Sequence, residues 1–164
     1  MPWELLGSNS TVSSNALELS FTAKSFIQIE GSYKQGAGTS GAMRLRLGNT
    51  TLDTGSNYSE RKSEDGGADV TTTSQNEFKY SVTDGSGAVN YLGYFNIYII
   101  NDATEEKLII SQVVTNVSAG ASQAPRRLET VGKWDNTSNQ IDIISLYRTA
   151  DTLTSGNLTV FGTD

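Results

Sequence analysis

Neither cysteine nor histidine occurs in this 164-residue chain, and the two absences remove a great deal of chemistry. Without cysteine there is no disulfide, no thiolate metal ligand and no thiol nucleophile. Without histidine the usual general base, the commonest zinc ligand and the side chain that titrates near neutral pH are missing, and the Ser-His-Asp triad is ruled out. No P-loop and no G-x-S-x-G elbow is found. Proline occurs only twice. No apolar run reaches the ~18 residues that a membrane-spanning helix requires. Met1 leads straight into PWELLG, with neither a basic start nor an apolar core, so no secretory signal is expected. Positive charge is also scarce: 12 Lys and Arg face 18 Asp and Glu, for a net charge of −6 and a pI of about 4.6. Such a balance argues against a general attraction to nucleic acid or to anionic membrane and favours solubility at high copy number.

What is present points to β structure. Ser, Thr and Asn make up about a third of the residues, and glycine occurs 16 times, a composition that serves turns and exposed sheet faces. The central stretch runs from Tyr91 to Val117, where two runs rich in β-branched and aromatic residues flank the polar connection Asn101 to Glu106, the pattern of a hairpin. In its first strand Phe95, Ile97 and Ile99 share one face, while Tyr94, Asn96, Tyr98 and Ile100 share the other. Both faces carry apolar bulk, so this strand is expected in the middle of a layered β structure, as scaffold, with function elsewhere.

Alternation marks further strands at Ala16 to Phe21, Phe26 to Ser32, Ala42 to Leu47, Arg127 to Trp134, Ile141 to Leu146 and Asn157 to Phe161. Short strands are expected at Trp3 to Leu6 and Tyr58 to Lys62, with one or two edge strands between Val70 and Val82. Loops or turns are expected at Tyr33 to Gly41, Asp84 to Ala88, Ser118 to Ala124, Asp135 to Asn139 and Asp151 to Gly156. Eight to ten strands with no helix and no internal repeat predict one all-β domain over residues 1–164, a jelly-roll-like antiparallel β-sandwich.

A set of motifs spans nearly the whole chain in order. Trp3-Glu4-Leu5-Leu6-Gly7-Ser8 opens it. Arg44 to Asn49 and Thr54 to Tyr58 give RLRLGN and TGSNY; Gly132-Lys133-Trp134 and Thr137-Ser138 precede an Ile-rich strand, and Ser155 to Gly162 closes it. This set resembles the WELLGS … TGSNY … SGSxxxLYG module of virion proteins of tailed phages and related environmental viruses, where it forms the end domain of tail or head fibres and small stand-alone virion proteins. Two departures stand out: Gly48 to Asp53 replaces a shorter Asn-Gly-Asp loop, and Phe161-Gly162 replaces Tyr-Gly. The resemblance implies a non-enzymatic structural protein on the virion surface, a capsid decoration or short fibre or knob subunit, synthesised in the host cytoplasm. It further implies no catalytic residue, no metal, no cofactor, no nucleic-acid or membrane partner, and a homo-oligomer, with a trimer favoured, in contact with other virion proteins. The alternative is a carbohydrate- or host-receptor-binding module of a virion appendage.

Candidate surface contacts are Tyr33, Tyr58, Tyr91 and Tyr147, aromatic rings near loops or strand ends that suit a sugar or a partner. Arg126 and Arg127 suit an acidic face such as Asp102, Glu105 and Glu106 of a neighbouring copy. Trp3, Trp134, Phe95 and Tyr98 are expected in the core. The acids Glu60, Glu64, Asp65 and Asp69, interleaved with Arg61 and Lys62, are expected to form a solvated charged loop rather than a cation site, since the EF-hand spacing is absent. Asp135, Asn136, Asn139 and Asp142 suit a turn whose side chains satisfy their own backbone. Carboxylate pairs for glycoside hydrolysis would be Glu129 with Asp142 or Glu18 with Glu30. N-x-[ST] sequons begin at Asn9, Asn49, Asn57, Asn116, Asn136 and Asn157, with Asn49 and Asn57 the preferred acceptors.

Overall fold

The computed structural model describes residues 2–36, 42–80, 92–116, 121–122, 124–149 and 152–164. Tyr91 and the turn expected at Asp84 to Ala88 lie outside these residues, as do parts of the loops expected over Tyr33 to Gly41, Ser118 to Ala124 and Asp151 to Gly156. In chain order the strands are β1 (Glu4–Asn9), β2 (Ala16–Ser20), β3 (Phe26–Gln35), β4 (Met43–Asn49), β5 (Thr51–Leu52), β6 (Tyr58–Glu64), β7 (Val70–Gln75), β8 (Phe78–Lys79), β9 (Leu92–Ile100), β10 (Lys107–Thr115), β11 (Arg126–Trp134), β12 (Ile143–Arg148) and β13 (Leu153–Thr163). No helix occurs among the described residues. The thirteen strands among the described residues exceed the expected eight to ten in part because the two-residue pieces β5 and β8 carry no alternation long enough to read.

Two antiparallel sheets form a β-sandwich. The eight strands of sheet 1 run β1-β13-β3-β9-β10-β11-β6-β7, and sheet 2 runs β2-β12-β4-β5 with β8 also paired to β4. Most connections pass from one sheet to the other, as in a jelly roll, while β9, β10 and β11 follow one another as a meander. The hairpin boundaries agree with the sequence pattern: β9 ends at Ile100 and β10 begins at Lys107. Strict alternation of buried and exposed residues along β10 puts Ile109, Ser111 and Val113 against sheet 2 and turns Leu108, Ile110, Gln112 and Val114 outward. β9 does the same with Phe95, Ile97 and Ile99 inside. Each such buried side chain contributes roughly 1.5–3 kcal/mol, which outweighs any exposed ion pair on the molecule.

Trp134, Tyr33, Tyr58, Phe78, Tyr80 and Phe95 fill the centre between the sheets. Phe78 meets both Tyr58 and Tyr80 edge to face, at 5.0 and 6.1 Å between ring centres, the arrangement that ring quadrupoles favour. Asn101, the first residue after β9, is buried and works as a bracket. Its amide donates to the carbonyls of Lys24 (2.9 Å) and Ile141 (3.1 Å), and its Oδ1 accepts the Ile141 N–H at 2.6 Å. That capture holds Ile141 out of the sheet ladder, so β12 begins at Ile143 rather than at the expected Ile141.

The polar segment beyond β5 is more ordered than its composition suggests. β6 and β7 form a hairpin turning through Asp65 (φ 52°) and Gly66 (φ 76°), consecutive left-handed residues that match the right-handed twist of the flanking strands. β7 ends sheet 1, the edge position expected for it.

Candidate binding face

Cross-strand register arranges the outward side chains of sheet 1 in rows. One row contains Phe26, Ile100, Leu108 and Lys133. The next contains Leu5, Phe161, Gln28, Tyr98, Ile110, Val131 and Arg61. A third is polar, with Glu30, Asn96, Gln112 and Glu129, and a fourth holds Ser32, Tyr94, Val114 and Arg127. Nothing in the described chain covers this side. Ile110 is 60% exposed, Tyr98 46% and Trp3 45%. Trp3, Phe26, Tyr98, Ile100, Leu108 and Val131 also line a hollow of about 370 Å³.

Two expectations are corrected here. β9 is central in its sheet, but the apolar bulk on its second face is not buried, because the sandwich has only two layers and sheet 2 covers one side. Trp3 and Tyr98 therefore stand at the surface, whereas Trp134 and Phe95 are in the core as expected. The hairpin is scaffold on one side and, on the other, carries most of the large apolar side chains left exposed among the described residues.

The aromatic residues singled out from the sequence behave differently. Tyr33 is 1% exposed and stacks on Phe95 with ring centres 6.4 Å apart, because β3 runs on to Gln35 and carries Tyr33 inward where a loop was expected. Tyr58 is fully buried. Its hydroxyl accepts the Leu47 N–H at 3.1 Å and donates to the Leu47 carbonyl at 2.9 Å, joining the two sheets. Burial raises both phenols above the ordinary tyrosine range. Neither ring reaches a partner. Tyr147 is half-buried on the outer side of sheet 2, with its hydroxyl on Glu77 and its ring 4.8 Å from the Arg46 guanidinium. Burial first and the Glu77 carboxylate second raise its pKa. Arg44 (2.9 Å) and Arg46 (3.1 Å) hold that same carboxylate, which offsets part of their positive charge within the chain.

Arg126 does not look outward for an acid. It pairs with Glu64 and places Nε 2.7 Å from Asp65 Oδ2, and the Arg127 N–H donates to Asp65 Oδ1 at 2.9 Å. That backbone bond, followed by Arg126, holds the Asp65 carboxyl below its ordinary value. Of the acids expected to meet these arginines, Glu106 binds Lys133 at 2.7 Å and Asp102 accepts the Thr104 N–H at 2.7 Å.

The acidic loop resolves into ion pairs. Glu60 is buried, accepting from Lys62 (3.0 Å), Thr72 (3.2 Å) and the Lys79 N–H (3.1 Å), while Asp69 faces Arg61 at 3.9 Å. No group of three or more metal-ligating side chains is found among the described residues. Asn136 Oδ1 accepts the N–H groups of Ser138 and Asn139, so the turn expected there is satisfied by its own side chain. Both carboxylate pairs are split between the sheets. Glu129 lies on β11 of sheet 1 while Asp142, beside β12 of sheet 2, accepts the Thr50 N–H; Glu18 lies on β2 and Glu30 on β3. The amides of Asn49 and Asn57 are donated to Asp142 (3.3 Å) and Asp53 (2.8 Å), which ties up both preferred sequons.

Lys107 is the one buried lysine among the described residues. Its Nζ donates to the carbonyls of Glu105 (2.7 Å) and Asn136 (2.5 Å) and lies 6.0 Å from the centre of the Trp134 ring. Burial lowers its pKa against the attraction of Asp102 and Glu105. It closes the end of the β9–β10 hairpin over the Trp134 turn, a role its place at the head of an apolar strand did not announce.

No protein-family model matches the chain, and no curated protein matches it either. Among solved structures, the chain is similar to the CBM2 module of Lactobacillus casei BL23 phage J-1 evolved Dit, at 10% identity and a TM-score of 0.25, over 96% of this chain and 69% of that one. The binding domain of Botulinum neurotoxin DC, solved with rat synaptotagmin II, aligns at 8% identity and a TM-score of 0.31, over 98% of this chain and 42% of its own length. An alginate lyase from Alteromonas sp. 272 aligns at 11% identity and a TM-score of 0.25, over 99% and 95%. At these scores the likenesses carry no functional argument, and no family is assigned.

Proposed function

We propose that this chain is a non-enzymatic structural protein of a virion surface, a capsid decoration or a short fibre or knob subunit, that works through contacts with its own copies and with other virion proteins. The observation that carries the reading is the bare outward side of sheet 1, where Trp3, Phe26, Tyr98, Ile100, Leu108, Ile110 and Val131 form a continuous apolar surface. An isolated protein seldom leaves such a surface wet; patches beyond a few hundred Å² mark contact sites. The motif set from Trp3 to Gly162 supports the virion context. The separation of the candidate carboxylate pairs onto different sheets supports the absence of hydrolysis. Mass spectrometry and immunogold labelling of purified particles test the reading: the protein is expected on the particle surface, and particles without it sink the proposal.

A second reading has its own observation. Tyr94 and Tyr98 stand on either side of Asn96 on β9, and Asn96 shares its row with Glu30, Gln112 and Glu129. Aromatic faces beside a line of amides and carboxylates suit a host glycan. Loss of host-cell adsorption or of glycan-array signal in Tyr94→Ala and Gln112→Ala would favour it.

A further inference from the structure

We infer that the apolar end of sheet 1 is the seat of a second copy of this chain, the two sheets meeting face to face about a two-fold axis. This deepens the proposed function and rests on it, since it names the subunit contact through which that function would act.

The distribution of exposed apolar side chains is the first argument. Among the described residues every large hydrophobic residue left exposed belongs to the strands of sheet 1 or to Trp3 just before it, and sheet 2 exposes none. Because sheet 2 offers no exposed apolar complement among the described residues, the outward face of sheet 1 finds its complement on another copy in that same face. A patch that meets itself is closed by a two-fold axis, because each copy then offers and receives the same residues. A head-to-tail ring would need an apolar surface pointing another way, and sheet 2 shows none among the described residues.

Area is the second argument. Trp3, Leu5, Phe26, Tyr98, Ile100, Leu108, Ile110 and Val131 are each about half exposed. With side chains of ~150–250 Å² for the aromatic members, together they offer on the order of 800 Å² per copy, which is the share that one partner contributes to a stable interface. The anatomy also fits. The centre around Tyr98, Ile110 and Val131 carries no carboxylate, while the polar row of Glu30, Asn96, Gln112 and Glu129 bounds it on one side and the Lys133–Glu106 pair on another, giving an apolar centre and a charged rim. Aligned or orthogonal stacking of two such sheets is an ordinary mode of sheet packing.

The test uses the purified full chain. Sedimentation equilibrium is expected to give the mass of a dimer. Ile110→Lys and Leu108→Lys are expected to weaken the dimer by roughly 100-fold, since each variant removes an apolar side chain from both halves of the contact. Glu18→Lys, on the outer side of sheet 2, should leave the mass unchanged. Circular dichroism checks that the variants fold. As the chain contains no cysteine, single variants Leu108→Cys, Ile110→Cys and Val131→Cys give a second readout under mild oxidation. At least one is expected to form a disulfide dimer much faster than Glu18→Cys. A monomer or a trimer at every concentration, an unaltered dimer in the lysine variants, or cross-linking no faster than the control would each overturn the inference. These outcomes are independent of the particle experiment: a monomer that is nonetheless found on virions sinks the self-contact and leaves the virion reading standing.

Discussion

Trp134 donates its indole N–H to Asp53 Oδ2 at 2.7 Å, which ties the last residue of β11 in sheet 1 to the loop that leaves β5 in sheet 2. The same carboxylate accepts the Asn57 amide at 2.8 Å and the Gly55 N–H at 2.7 Å. One short side chain thus satisfies a buried indole and shapes the turn into β6. Asp53→Ala is expected to destabilise the protein by about 2 kcal/mol, the size expected when hydrogen bonds to a charged group are lost and a buried donor is stranded. Urea denaturation followed by tryptophan fluorescence measures it.

Acid should attack the same joint. Burial alone would raise the Asp53 pKa, but the bonds from Asn57, Trp134 and Gly55 outweigh it and hold the carboxyl below its ordinary 3.8. Asp65 is lowered as well, first by the Arg127 N–H and then by Arg126. A carboxyl whose folded pKa is depressed adds stability that is full above 3.8 and disappears as pH falls through the folded value. The denaturation midpoint is therefore expected to drop as pH is taken from 5 down through the region below 3.8, and the drop should be shallower in Asp53→Asn. An unchanged acid limb in that variant would remove this account.

Phe95 and Tyr98 lie on one strand and face opposite ways, so truncation should separate them. Phe95→Ala is expected to cost about 3–5 kcal/mol, as for a large ring lost from a filled core. Tyr98→Ala should change the stability of the isolated chain by only about 0.5 kcal/mol, as at an exposed site. Thermal melts of the two variants, run below the concentration at which copies associate, make the comparison.

Gly31 on β3 has no room for a side chain: a Cβ there would sit 2.0 Å from the Asn157 carbonyl oxygen and 2.8 Å from the Phe95 ring. The first contact is with backbone and cannot yield. Gly31→Ala is expected to cost about 3 kcal/mol, at the upper end for overpacking, read as a lowered denaturation midpoint.

Arg126→Glu is expected to leave self-association intact, because its partners Glu64 and Asp65 belong to the same chain. Arg126→Ala should cost about 0–1 kcal/mol, the range for partly exposed pairs, and less at high salt. Light scattering and a melt in low and high salt together check both statements.

Alternation of side chains along a strand is a local property, and it was legible. The central hairpin with its connection at Asn101 to Glu106, the shared face of Phe95, Ile97 and Ile99, the edge position of β7 and the self-satisfied turn at Asn136 all follow from neighbours in the chain. Tyr33 reads as loop because its neighbourhood is glycine-rich, while pairing with β13 carries β3 through it; Tyr58 begins a strand as expected, but the pairing of β6 with β11, not the local pattern, turns its ring into the core. The second apolar side of β9 is also legible, but the local pattern assigns it to burial, and the two-layer fold leaves it exposed.

The sequence by itself determined an all-β sandwich, the strands of its centre and the kinds of chemistry it cannot perform, since periodicity and composition act through each residue's own backbone and side chain. Only the tertiary structure decided that one side of the large sheet stays bare, that Asp53 meets Trp134 and that Arg126 is claimed by its own chain. Those facts depend on how many layers the chain can build and which distant strands lie side by side, and long-range pairing leaves no local mark in the order of residues.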